Sequence, residues 1–151
     1  MRFDQTGEVL GYIERFHEKL ADDYSDLGKR IKSARSRMLL DYMSGRETRL
    51  ADAVRKFAHD SSDPALKEWD PFNIDDSGIQ ARIREGLGEE ASADELLGLA
   101  LEVLAWLEGL FLRLEAKSGT PEQKELFAAL RERTDREKHK LARNANMLLD
   151  F

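Results

Sequence analysis

Leu10-Gly11-Tyr12-Ile13-Glu14-Arg15-Phe16-His17-Glu18-Lys19-Leu20-Ala21-Asp22-Asp23-Tyr24-Ser25-Asp26-Leu27 is the stretch from which the architecture can be read. Leu10, Ile13, His17, Leu20, Tyr24 and Leu27 recur at alternating steps of three and four, which places them on one stripe of an α-helix. Five are apolar or aromatic, and the sixth, in the middle, is a histidine. The same pattern returns in Leu40, Met43, Glu47, Leu50, Val54 and Phe57, with a carboxylate at the matching level. It appears again in Leu97, Ala100, Leu104, Leu107, Phe111 and Leu114, and in Phe127, Leu130, Thr134, Glu137, Leu141, Asn144 and Leu148. The chain therefore reads as four amphipathic helices, at about residues 6–27, 30–58, 93–117 and 121–148. Three of them carry an ionisable residue where a bundle core should be dry: His17, Glu47 and Glu137.

Punctuation supports these boundaries. Gly28 is expected to end the first helix. Ser92-Ala93-Asp94-Glu95 is a capping box opening the third, and Ser118-Gly119 closes it. Thr120-Pro121-Glu122-Gln123 opens the fourth, with Thr as cap, Pro in the first turn and Gln at the reciprocal position. Short connections make helices one and two antiparallel, and likewise three and four. The crossover, residues 59–92, contains Pro64, Pro71, Gly78, Gly86 and Gly88, and short helices are expected near Pro64–Trp69 and Gly78–Glu85. A helix of about 25 residues is roughly 37 Å long. The crossover can span that distance, so helices two and three can run parallel.

Composition narrows the function classes. The 151 residues suit one domain, with 24 Lys and Arg against 30 Asp and Glu for a formal net charge of −6. An acidic chain is a poor general binder of nucleic acid or anionic membrane. The absence of cysteine excludes disulfides, thiolate-ligated zinc and iron–sulfur clusters. The start, Met1-Arg2-Phe3-Asp4, turns polar at once, unlike a signal peptide. The most apolar run, from Leu96 to Leu114, is interrupted by Glu102, Glu108 and Arg113, so no membrane span is expected. A cytoplasmic location follows as an expectation.

Tyr24 on the first helix, Leu39-Leu40-Asp41-Tyr42 leading to Glu47 on the second, and Glu137-Lys138-His139 on the fourth resemble the ferritin-like superfamily. Within it they are most similar to rubrerythrin-type four-helix proteins. The resemblance implies an all-α bundle of two antiparallel hairpins joined by a long crossover. It also implies a di-iron or di-manganese site built from one Glu on each of helices one and three and a Glu-x-x-His pair on each of the other two. Carried over, these positions fall at His17, at Glu47 with Leu50 where its histidine partner belongs, and at Leu104, or at Glu102 or Glu108 with a shifted register. On the last helix they fall at Arg136-x-x-His139 or Glu137-x-x-Lys140. A leucine donates no lone pair and an arginine adds charge of the wrong sign, so the expected ligand set, His17, Glu47, Glu137 and His139, is reduced. The chain is thus expected to be a binding or structural module lacking a complete di-iron site and holding no cofactor. The alternative is a metal-binding or rubrerythrin-type oxidoreductase using iron, manganese or zinc.

Each feature also has a plain structural reading. His17 can be a ligand, a base or a hydrogen-bonded core histidine. A buried Glu47 requires a partner, for which His17 and Arg136 are candidates, and Glu137 can pair with Arg133. His17 and Glu47 with Glu137 or His139 would also suit a single zinc. A hydrolase using a His–Glu base lacks an evident nucleophile or oxyanion donor. The third helix carries a second apolar stripe, Leu96, Leu99, Val103, Trp106 and Leu110, which implies either a homodimer anchored by Trp106 or cover from Trp69, Phe72 and Ile79 of the crossover. Lys29, Arg30, Lys32, Arg35 and Arg37 form a solvated cationic face or a contact for a phosphate-bearing or acidic partner.

Overall fold

The computed structural model describes residues 1–61, 66–67 and 69–149, and only the backbone of residues 69, 70 and 146–149. Its elements are β1 (Arg2–Gln5), α1 (Thr6–Arg30), α2 (Ala34–Asp60), β2 (Trp69–Asn73), α3 (Ser77–Gly86), α4 (Ala93–Lys117) and α5 (Pro121–Leu149). The four long helices lie where the apolar periodicity places them.

The two hairpins form as their short connections require. α1 and α2 pack along their lengths, and so do α4 and α5. The Ser44 hydroxyl donates to the Ala21 carbonyl at 2.8 Å and Arg55 Nε donates to Glu14 at 2.6 Å, so numbers rise along α2 as they fall along α1. Between α4 and α5, Arg131 reaches Glu115 at 2.8 Å and Lys138 reaches Glu108 at 2.7 Å, again in opposite senses. Asn144 of α5 meets Tyr42 of α2, while Arg46, one turn further along α2, meets Glu137, one to two turns back along α5. α2 and α5 are therefore antiparallel, which leaves α2 and α4 parallel.

The hairpin turn differs from the sequence expectation. α1 runs through Gly28 to Arg30, with Ile31 as its C-cap in extended conformation, so the glycine supplies no left-handed turn. α2 starts at Ala34 because the Ser33 side chain caps it, accepting from the Ser36 amide at 3.2 Å. At α4 both halves of the capping box form: Ser92 Oγ accepts from Glu95 N and Glu95 Oε1 accepts from Ser92 N, each at 3.1 Å. Those bonds hold the Glu95 carboxyl below the usual carboxylate range. Ser92→Ala removes one side of the box, and a loss of about 1 kcal/mol in unfolding free energy is expected from urea denaturation. A loss under a few tenths would mean that solvent satisfies the helix end equally well. At α5, Gln123 N donates to Thr120 Oγ1 at 3.3 Å as anticipated, but its side chain reaches back to the Gly119 amide at 2.9 Å, one residue earlier than a capping box demands. The same Gln123 amide donates to Thr6 Oγ1 at 2.8 Å, and both side chains are buried. The starts of α1 and α5 are thereby tied together.

A two-stranded antiparallel ribbon, β1 with β2, was not anticipated. β1 is only four residues long and β2 contains Pro71, which cannot donate to a ladder and suits a two-stranded ribbon with free edges. What holds the ribbon is apolar pairing: Phe3 stands opposite Phe72, Phe3 lies 5.3 Å from Tyr12, and Phe72 packs edge-on at 5.7 Å against Phe127. The crossover helix α3 matches the one expected near Gly78–Glu85. The helix expected near Pro64–Trp69 falls mostly outside the described residues, and Trp69 itself begins β2.

The second apolar stripe of the α4 helix is covered within the chain. Leu96, Leu99, Val103 and Leu110 are 0–2 % exposed, and only Trp106 remains half-buried, stacked at 5.4 Å on Phe16 of α1. α3 lies along α4, and Gly86 permits its close approach, because a Cβ there would come within 2.7 Å of Leu99 Cδ2. Of the five residues of the stripe expected at a homodimer interface, Leu96, Leu99, Val103 and Leu110 are thus packed against this chain's own helices, and Trp106 stacks on Phe16. Among the described residues, no helix is long and apolar enough to cross a membrane.

Candidate functional site

Midway along the bundle the core stripes turn polar, and three helices meet there in two hydrogen-bonded pairs. His17 Nδ1 of α1 donates to Glu47 Oε2 of α2 at 2.5 Å. Arg46, the preceding residue, turns toward α5. Its Nη2 donates to the Glu137 carbonyl at 2.8 Å and also to Glu137 Oε2, while its Nη1 donates to the Tyr42 hydroxyl at 2.6 Å. The guanidinium lies 5.4 Å from the centre of the Tyr42 ring, and Asn144 Nδ2 donates to the same hydroxyl at 2.9 Å. His17, Arg46 and Glu47 are no more than 5 % exposed.

Burial of ionised groups is costly unless they are paired and their remaining hydrogen-bonding capacity is met. Each half of this layer is partnered separately: Glu47 by His17, Glu137 by Arg46. Arg46 lies outside the row Met43, Glu47, Leu50 and Val54, whose spacing marks the buried face of α2. The adjacent row, Leu39, Met43, Arg46 and Leu50, has the same four–three–four spacing and is equally buried. That second row, wide for a surface helix, was the available signal.

Tyr24 completes the layer from α1. It is almost fully enclosed, and burial, then the Glu47 charge, then Asp23, push its phenol well above the ordinary range. Among the described residues its hydroxyl has no hydrogen-bond partner. Tyr24 lines a cavity of about 10 Å³ together with Met43, Arg46, Glu47, Leu50, Ala100, Leu104 and Leu141. Tyr12 is shifted in the same direction, by burial and then by Asp76, which accepts its hydroxyl at 2.6 Å.

Both shifts have one consequence at alkaline pH. A free phenol ionises near pH 10. Above that value the unfolded chain has released protons that Tyr12 and Tyr24 still hold in the folded state, so stability declines as pH rises, having been constant in this respect below it. In an alkaline titration, phenolate absorbance before unfolding should amount to no more than one of the three tyrosines. The remainder should appear together with loss of helical circular dichroism. Ionisation of Tyr12 or Tyr24 in a fully helical chain would contradict the enclosure described.

The four residues expected to ligate metal do not converge. His17 and Glu47 pair with each other, Glu137 pairs with Arg46, and His139 faces solvent, its side chain 67 % exposed and its Nδ1 2.8 Å from the Asp135 carbonyl of the preceding turn. Glu137 thus takes Arg46 from across the bundle, where Arg133 on its own helix was expected. Leu50 and Leu104, at two positions where the resemblance calls for ligands, wall the cavity. Among the described residues no three His, Cys, Asp or Glu side chains are grouped as a metal site requires. Two metal ions in a shared site stand about 3.5–4 Å apart, and a space of about 10 Å³ beside a guanidinium does not fit them.

The cationic run lies elsewhere, at the α1–α2 turn. Lys29, Arg30, Lys32, Arg35 and Arg37 are exposed, and Arg30 reaches Glu89 at 3.3 Å. Arg30, Lys32 and Arg35 line a groove of about 550 Å³ whose other wall carries Glu89, Glu90 and Asp94. Its charge is mixed, so it offers a phosphate no uniformly positive field. No protein-family model, curated protein or solved structure matches the chain.

Proposed function

We propose that this chain is a ferritin-like four-helix bundle without a complete di-metal centre, acting as a binding or structural module through its surface. The observation that carries the reading is the Arg46 guanidinium bound to Glu137 at the bundle's middle, an in-built cation where the resembled family places metal ions. The directions of the four helices, with α2 and α4 parallel across a long crossover, support the ferritin-like part of the reading. Enclosure of the His17–Glu47 pair argues against a catalytic base, because a substrate has no route to side chains that are 3 % and 6 % exposed.

The test is elemental analysis of protein purified without chelator, with thermal melts in the presence and absence of iron, manganese and zinc. Substoichiometric metal and unchanged melting temperatures are expected. Near-stoichiometric metal with a raised melting temperature would overturn the reading, since a ligand specific to the folded state must stabilise it. Two metals per chain would restore the oxidoreductase alternative, and one would place a mononuclear site among His17, Glu47, Glu137 and His139.

A further inference from the structure

We propose that the cavity beside Tyr24 is a binding site for a single ordered water, which bridges the Tyr24 hydroxyl to the Glu47 carboxylate. Three observations point to it. The Tyr24 hydroxyl is buried with its hydrogen-bonding capacity unmet among the described residues, and buried polar atoms in folded proteins are nearly always satisfied. The cavity that Tyr24 lines measures about 10 Å³, close to the roughly 10–15 Å³ that one water needs. Its wall also carries the charged side chains of Glu47 and Arg46.

The hydrogen bonds balance. Glu47 Oε2 is engaged by His17, but a carboxylate has about four lone-pair positions, so Glu47 can accept a further proton donor. The Tyr24 phenol, held neutral, donates to the water, and the water donates to Glu47. Met43, Leu50, Ala100, Leu104 and Leu141 form the rest of its lining, and its volume matches one water. A wholly apolar cavity of this kind would stay dry, and what distinguishes this one is the phenol and the carboxylate. The bridge joins Tyr24 to the His17–Glu47 pair, so that two residues of α1, seven positions apart, both hold the same α2 carboxylate.

This inference stands apart from the proposed function, because a bundle with any surface role could hold the water. The experiment is a crystal structure at a resolution that shows ordered solvent, for the wild-type chain and for Tyr24→Phe. A single peak within about 2.7–3.2 Å of both Tyr24 Oη and Glu47 is expected, together with its loss in Tyr24→Phe. An empty cavity in the wild type, or a Tyr24 hydroxyl turned to a protein acceptor, would overturn the proposal. So would a peak with the anomalous signal of a metal, and that outcome alone would also count against the functional reading. If Tyr24→Phe fails to fold, the wild-type map decides. In solution, water cross-relaxation to the Leu104 and Leu141 methyl groups, with the sign of a bound water, should accompany the crystallographic peak.

Discussion

Replacing Arg46 with alanine is expected to lower the unfolding free energy by about 3 kcal/mol. Removing one partner of a buried ion pair typically costs about 3–5 kcal/mol, because the other charge is left without compensation. The low end applies here, since the Glu137 side chain keeps 17 % exposure and can partly rehydrate. The loss extends beyond charge. Arg46 also satisfies the Glu137 carbonyl and supplies one of two donors to the Tyr42 hydroxyl, so the tie between α2 and α5 at this level is reduced to Asn144. Arg46→Lys separates the two contributions. An ammonium keeps the charge but cannot reproduce the planar fork that reaches Tyr42 and Glu137 together. A loss of about 1–2 kcal/mol is expected for it, one or two hydrogen bonds' worth. Urea denaturation measures both. If Arg46→Ala costs less than about 1 kcal/mol, as an exposed salt bridge would, the guanidinium is not the organising cation of the layer.

The contrast between Arg46 and His17 shows what was legible in the sequence. Helix positions follow from apolar periodicity, and the α4 capping box was readable because its chemistry is local: four consecutive residues contain both partners. His17 and Glu47 were visible as polar interruptions of an apolar row. Arg46 was not, because it lies on a second row whose burial depends on α5 packing against that side of α2, a tertiary fact. The ribbon was hidden for a related reason. Four residues of β1 with one buried phenylalanine carry no strand signal, and only pairing across more than sixty positions brings Phe3 to Phe72. The two apolar rows of α4 left open whether this chain or a second copy covered the outer one. Packing of α3 and Phe16 covers much of that row within the chain, and no periodicity within α4 encodes it. Glu137 illustrates the limit from the other side: spacing along its own helix points to Arg133, and its partner is Arg46 on another helix.

His17 and Glu47 should show the largest departure from additivity in the chain. His17→Leu leaves a carboxylate 6 % exposed with no cation against it, and a loss of about 3–5 kcal/mol is expected unless Glu47 takes up a proton. Glu47→Leu leaves an imidazole nitrogen unpaired in the core, and a smaller loss of about 1–3 kcal/mol is expected. The double replacement removes both at once. Apolar side chains of similar volume in place of a buried ion pair are commonly neutral, or stabilising by about 1–4 kcal/mol. The double variant should therefore lie near the wild type or above it, and the interaction term from the four chains should exceed about 3 kcal/mol. Arg46 and Glu137 make this outcome specific to the geometry. Because the two pairs share no hydrogen bond, deleting one whole pair leaves the contacts of the other in place. If the double variant were as unstable as the two single losses summed, His17 and Glu47 would be energetically independent, and Arg46 rather than His17 would be compensating Glu47. If it were fully stable, the retained His17–Glu47 pair would contribute no net stability to the fold, and its presence would have to be explained by specificity of packing or by a role in binding.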